Sequence, residues 1–166
     1  MKTVKKVMKI KTNIRPFIAD DMGLMWDQCL KGNLPNPLGS DTNPEEFHTN
    51  MKRLIGMYSS HWIVEDDGEP VAAIFVKTDG WTIEPHVEFF RGTTPAAIFR
   101  THLHFFGSLI KQGLKGSCIV KSFKENRNVF DRLVTRGVLL YVGEIPEGDP
   151  RGTIYQYCLI PNRSES

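Results

Sequence analysis

Trp81-Thr82-Ile83-Glu84-Pro85-His86-Val87-Glu88-Phe89-Phe90-Arg91-Gly92-Thr93-Thr94-Pro95-Ala96 is the stretch whose reading decides the fold. Its first ten residues mix β-branched and aromatic side chains with polar ones, which predicts an extended strand. Pro85 marks a bulge or a strand edge, because proline offers no N–H to an interior ladder. Arg91 to Pro95 reads as a tight turn. Pro95 suits the first position of a helix and Thr94 its cap. Ile98, Leu103, Phe105, Phe106, Leu109 and Ile110 then recur at helical spacing until Gly113. A buried strand, a short turn and an amphipathic helix in direct succession define an α/β domain.

Upstream, Val4 to Ile14 alternates loosely and suits an opening strand. Asp20 and Asp21 offer an N-cap for a helix carrying Met22, Leu24, Met25, Trp26, Cys29 and Leu30 on a core face. Residues 31–44 hold Gly32, Pro35, Pro37, Gly39 and Pro44, and read as a loop long enough to serve a function. A second helix begins at Asn43-Pro44-Glu45-Glu46, an asparagine cap followed by proline and acids that complement the helix dipole. From His61 the period changes to two, with Asp66-Asp67-Gly68-Glu69 as a hairpin turn before Val71 to Val76. Downstream, Ser117 to Val120 is a short strand and Asn126 to Arg136 a helix closed by Gly137. Val138 to Val142 and Thr153 to Ile160 are the last strands, joined by a Pro/Gly/Asp-rich connection at 146–152.

With 166 residues, 40% of them hydrophobic and 24% charged, the chain fits a single globular domain spanning 1–166. Its 21 basic and 19 acidic side chains leave a net charge of +2, too balanced to point to nucleic acid. The one basic excess is at the start, where 1–8 reads as a flexible, solvated segment. Cys29, Cys118 and Cys158 show no metal-ligand spacing and no disulfide pattern, which suits a reducing compartment. No apolar stretch approaches the roughly 20 residues that span a bilayer, and no signal peptide is visible, so a cytoplasmic protein is expected. His102 and His104, two apart on a helix, point in nearly opposite directions and cannot chelate one metal ion together.

In this order of elements the chain resembles the GNAT superfamily of acyl-CoA-dependent N-acyltransferases. Ile14-Arg15-Pro16-Phe17-Ile18-Ala19-Asp20-Asp21 looks like the first strand and helix start of such domains. The hairpin at Asp66-Asp67-Gly68-Glu69 with Val71-Ala72-Ala73 looks like their meander. Arg91-Gly92-Thr93-Thr94-Pro95-Ala96 is similar to the acyl-CoA signature, with Arg91 and Ala96 at its first and last positions and Thr94 where glycine is usual. Asn126 and Gly137-Val138 hold the spacing of a later Asn and Gly-Phe pair. The resemblance implies an α+β domain with a mixed, mostly antiparallel sheet flanked by helices.

It also implies acetyl-CoA or another acyl-CoA as cosubstrate, and a small-molecule or protein amine as acceptor. Phe89, Phe90, Arg91, Gly92, Thr93, Thr94, Ala96 and Asn126 are then the cofactor-binding candidates. The physical logic is anion binding by amides at a helix N-terminus, with Arg91 as a cation. An ordinary capped helix is the alternative reading of the same turn. Acyl transfer to an amine needs a base, and Glu88 is the candidate, with His86 and Glu84 on the same strand face. The family's usual tyrosine acid is replaced by Leu133, leaving Tyr141 or Tyr155 as substitutes. A second reading is a GNAT-like domain that has lost catalysis and serves as a binding or structural protein. Some bacteriophage proteins, internal virion proteins among them, resemble such a domain. An open cleft between the strand ending at Phe90 and the strand from 117 separates the first reading from the second.

Overall fold

A computed structural model describes residues 9–30, 43–114 and 116–160. The basic segment expected at 1–8 and most of the loop expected at 31–44 lie outside the described residues. The elements are β1 (Thr12–Pro16), α1 (Asp21–Leu30), α2 (Pro44–Gly56), β2 (Ser60–Asp66), β3 (Glu69–Asp79), β4 (Thr82–Phe89), α3 (Pro95–Lys111), β5 (Ser117–Ser122), α4 (Arg127–Thr135), β6 (Leu139–Asp149) and β7 (Gly152–Leu159). A single 3₁₀ turn, Lys124–Asn126, leads into α4. One seven-stranded sheet runs in the order β1-β2-β3-β4-β5-β7-β6. Every neighbouring pair is antiparallel except β4 with β5. This is the α+β domain with a mostly antiparallel sheet that the sequence led us to expect.

Local chemistry explains the elements. Asp67 and Gly68 both take positive φ, 51° and 85°, the geometry of a two-residue hairpin turn that matches strand twist. Asn43 caps α2 by accepting the Glu46 amide at 2.8 Å. Thr94 caps α3 by accepting the Ala97 amide at 3.2 Å, with Pro95 first in the helix. Gly113, at φ 72°, ends α3 while its amide and that of Leu114 return to the last carbonyls.

Asp21 departs from the expected capping role. Its carboxylate takes a bidentate grip from Arg15 Nη1 and Nη2, both at 2.8 Å, and accepts the Ile18 amide. Arg15 Nε turns to Glu65 at 2.7 Å, so one guanidinium ties β1, β2 and the start of α1 together. That guanidinium holds the Asp21 carboxyl below the usual carboxylate range. The connection expected at 146–152 is also different. β6 and β7 continue through it as one long hairpin, because register shifts after Tyr141 and Ile145 absorb the glycines and proline in the strand. The opening strand likewise covers only Thr12–Pro16 of the described residues.

Two cores sandwich the sheet. Ile74, Phe106, Cys118, Leu133 and Tyr157 are among those packed under α3 and α4, while Met25, Phe47, Met51, Ile63 and Phe75 pack under α1 and α2. The β4–β5 ladder comprises only two residue pairs, Thr82 with Ser117 and Ile83 with Cys118. Just before it the chains approach so closely that a Cβ on Gly116 would lie 1.9 Å from the Trp81 carbonyl oxygen. Pro85, expected at a bulge or an edge, keeps regular register with Val76 and sits where β4 has become an edge toward β5. Gly116→Ala must therefore push the two strands apart at the start of their short ladder. We expect it to lower unfolding free energy by about 1–3 kcal/mol in denaturant melts, as for other overpacked sites.

Candidate active site

Beyond Ile83 the two strands part, and the gap between them is a cleft of about 510 Å3. Glu84, His86 and Glu88 of β4 stand opposite Lys77, Phe75 and Ala73 of β3. Directly opposed residues share a face, so this row points to the side covered by α1 and α2. Val87 and Phe89 stand opposite Ile74 and Ala72 and belong to the side covered by α3 and α4. The cleft joins both sides. Its walls include Glu88 and His86 from one, and Phe89, His102, Asn126 and Phe130 from the other. It is open, not closed by side chains.

Glu88 is half-buried in this wall, and among the described residues it has no hydrogen-bond or ion-pair partner. Burial pushes its carboxyl up to about 7, against a smaller downward pull from Arg151. His86 is held below its ordinary value, chiefly by burial, although Glu84 lies 3.4 Å from its Nε2. Lys121 on β5 reaches across to Glu84 at 2.8 Å, bridging the parted strands. At the rim, the β6–β7 hairpin brings Arg151 over the Phe123 ring at 4.0 Å, its guanidinium held by Asp149 at 2.8 Å.

The turn after β4 sits at the Phe89 end of the cleft. Its internal bonds are numerous. The Arg91 amide donates to Gln28 Oε1 at 3.1 Å, tying the turn to α1. The Thr93 amide and hydroxyl return to the Phe90 carbonyl, and that hydroxyl also reaches the Val71 carbonyl at 3.0 Å. Among the described residues this leaves the amides of Gly92, Thr94 and Ala96 without partners. All three residues, with Arg91, are exposed. Gly92 has φ 86°, a conformation that favours glycine.

The candidates thus divide. Glu88, His86, Phe89 and Asn126 meet at the cleft, whereas Arg91, Gly92, Thr94 and Ala96 do not line it and lie on the turn that follows Phe89. Asn126 makes no side-chain cap bond to α4, so its amide is not committed to the helix. Phe90 instead buries its ring in the core under α1 and α2, because strand alternation turns it away from Phe89. Thr93 is spent on closing the turn. Tyr141 lies on the outer strand β6 against Tyr157, ring centroids 5.5 Å apart, and the intervening β7 separates it from the cleft. Leu133 is fully buried core. No tyrosine of the described residues lines the cleft.

Sequence reasoning missed Arg151, Lys121 and Tyr58. Tyr58 packs edge-on against His86 at 5.4 Å, where burial and then the charges of Glu88 and Glu84 raise its hydroxyl above its ordinary value. These residues reach the site only through strand pairing and helix packing, and carry no local signal. His104 is exposed on α3 while His102 is buried, so the two histidines do point apart.

No protein-family model matches this chain, and no curated protein does. Solved structures do. The ribosomal-protein acetyltransferase RimL in complex with coenzyme A superposes with TM-score 0.65 over 92% of this chain and 98% of its own, at 11% identity. A GNAT-family acetyltransferase from Bacillus anthracis gives 0.67 over 92% and 97%, at 16% identity. Spermidine/spermine N-acetyltransferase SpeG from Vibrio cholerae gives 0.68 over 93% and 98%, at 12% identity. The fold of this chain is that of GNAT N-acetyltransferases. No described helix is long and apolar enough to cross a membrane.

Arg151 supplies the one charge that opposes protonation of Glu88. Replacing it by alanine should raise the Glu88 midpoint further above 7, read from the carboxyl carbon resonance during a pH titration.

Proposed function

We propose that this protein is an acyl-CoA-dependent N-acyltransferase, with acetyl-CoA as the default cosubstrate. The observation that carries the reading is the cleft between β4 and β5, which holds a half-buried, unpaired carboxylate whose proton leaves near pH 7. A carboxylate tuned to neutral pH is suited to take a proton from an ammonium group. The thioester is placed along the cleft from the α3–α4 side, with its pyrophosphate at the amides of Gly92, Thr94 and Ala96 and the cation of Arg91. The amine approaches from the side of Glu84, His86 and Glu88.

In the step itself the amine gives up a proton to Glu88, directly or through water. Its lone pair then attacks the thioester carbonyl, the C–N bond forms, and the C–S bond breaks. The nitrogen then loses its second proton to water at the mouth of the cleft and the leaving thiolate gains one from that water, since no tyrosine of the described residues lines the cleft to supply it. Neutral His86, beside Glu84, borders the amine without adding a competing positive charge. The acidic row favours a cationic acceptor, whether a small polyamine-like molecule or a protein amine. RimL and SpeG illustrate both acceptor types on this fold. An open cleft favours this reading over a domain retained only for binding or structure.

Acetyl-CoA at millimolar concentration should raise the melting temperature, because a ligand that binds only the folded state stabilises it. Arg91→Glu should remove most of that shift. With a competent amine, kcat/KM should rise with pH through about 7 as Glu88 ionises. Glu88→Gln should lower it by roughly 10²–10⁴-fold, the usual worth of a general base. A melting temperature insensitive to CoA would overturn the proposal.

A further inference from the structure

The floor of the cleft holds a group that the reaction above does not use. His102, in the second turn of α3, is only 3% exposed, yet its ring lines the cleft. Its neighbours are aromatic: Phe89 at 5.4 Å, Phe106 stacked at 5.7 Å and Phe130 at 4.7 Å between ring centroids. Nδ1 is shielded from solvent and has no hydrogen-bond partner. Among the described residues, Nε2 has none either. Buried polar atoms in native proteins are nearly always paired, so an imidazole left unpaired at the wall of a cleft points to something that enters the cleft.

The chemistry of that something can be narrowed. Burial in the aromatic box pushes the imidazole down to about 4, so it is uncharged at neutral pH. A neutral imidazole offers one donor and one acceptor, and it supplies no charge to a phosphate. With Nδ1 shielded, Nε2 meets the ligand as donor or acceptor according to the tautomer, and its match is an uncharged group that offers both functions, such as an amide. Position agrees with chemistry. Phe89, the ring beside His102, ends β4 just ahead of the turn where the pyrophosphate is placed, so the adjoining part of the cleft receives the next part of the cofactor. In CoA that part is the pantetheine arm, which carries a hydroxyl and two amides on an otherwise apolar chain.

We infer that His102 is a binding residue for the cofactor, its imidazole hydrogen-bonding an amide of the pantetheine arm. The inference rests on the acyl-CoA reading. Phe89, Phe106 and Phe130 hold the ring in one plane and exclude water, so the bond forms without reorganising the site. Nδ1 is shielded within the protein, so the bond to the amide is made at Nε2, to which the described residues supply no partner.

His102→Phe keeps the ring's shape and removes both nitrogens. The free variant should melt at a higher temperature than the wild type, since an unpaired polar group has been replaced by an apolar one. Calorimetric titration should show CoA binding weakened by about tenfold, the worth of one hydrogen bond. Phospho-ADP, the nucleotide half of CoA without the arm, should bind both proteins equally. Equal CoA binding by wild type and variant overturns the inference alone. Failure of the wild type to bind CoA overturns the acyl-CoA reading and the inference together. A measurement independent of the variant uses ¹⁵N-histidine-labelled wild-type protein. CoA should move the His102 ring nitrogen resonances and phospho-ADP should not, whereas resonances unmoved by CoA overturn the assignment.

Discussion

Two residue pairs hold β4 to β5, and the rest of the molecule is arranged around the place where that ladder stops. Trp81 and Gly116 bring the backbones together at one end, where there is no room for a side chain. At the other end β5 has turned its hydrogen bonds toward β7, from Ile119 onward. β4 stays with β3 through Phe89. Neither strand lacks a partner, so the sheet opens without stranding a ladder on both edges. Parallel pairing is what permits this, since the chain must travel through α3 before returning and the two strands need meet only at one end.

The opening changes the dielectric surroundings of whatever lines it. Glu88 and His102 both sit in its wall without a charged partner, and burial acts on them with opposite sign. The acid keeps its proton up to about 7, while the base loses its proton down to about 4. Both results follow from one cause, the penalty on charge in a poorly solvated place. The other charges that line the cleft stand in pairs, Glu84 with Lys121 and Asp149 with Arg151. Specific chemistry is thereby confined to positions where a single proton decides the state.

Much of this could be read from residues alone. The alternation of 81–90, the cap at Thr94 and the proline after it define the central strand, turn and helix, and the structure has them with nearly those boundaries. The two-residue hairpin at Asp67-Gly68 and the asparagine cap at Asn43 were equally legible, because each depends on contacts only a few residues apart. Glu88 and His86 followed from simple alternation. What escaped depends on long-range pairing. The β6–β7 hairpin hides its regularity behind bulges, so a composition rich in glycine and proline mimics a loop. Arg151 enters the rim only through that hairpin. Phe90 and Phe89 look alike as letters, and only the turn of the strand sends one to the core and the other to the cleft. Tyr141 was drawn in by chemistry and excluded by position, one strand beyond β7.

The hairpin has a further consequence. It is the outermost part of the sheet, its distal residues Glu147, Gly148 and Pro150 are exposed, and its Asp149 bonds Arg151, whose guanidinium lies on Phe123 instead of filling a core. Changes there cost the fold little, whereas a change at Gly116, Ala73 or Leu133 disturbs packing that the whole domain shares. The rim of the cleft is thus composed in the region of the chain that substitution and insertion can most cheaply rewrite. A lineage built on this frame can alter what it admits while leaving intact what it is made of.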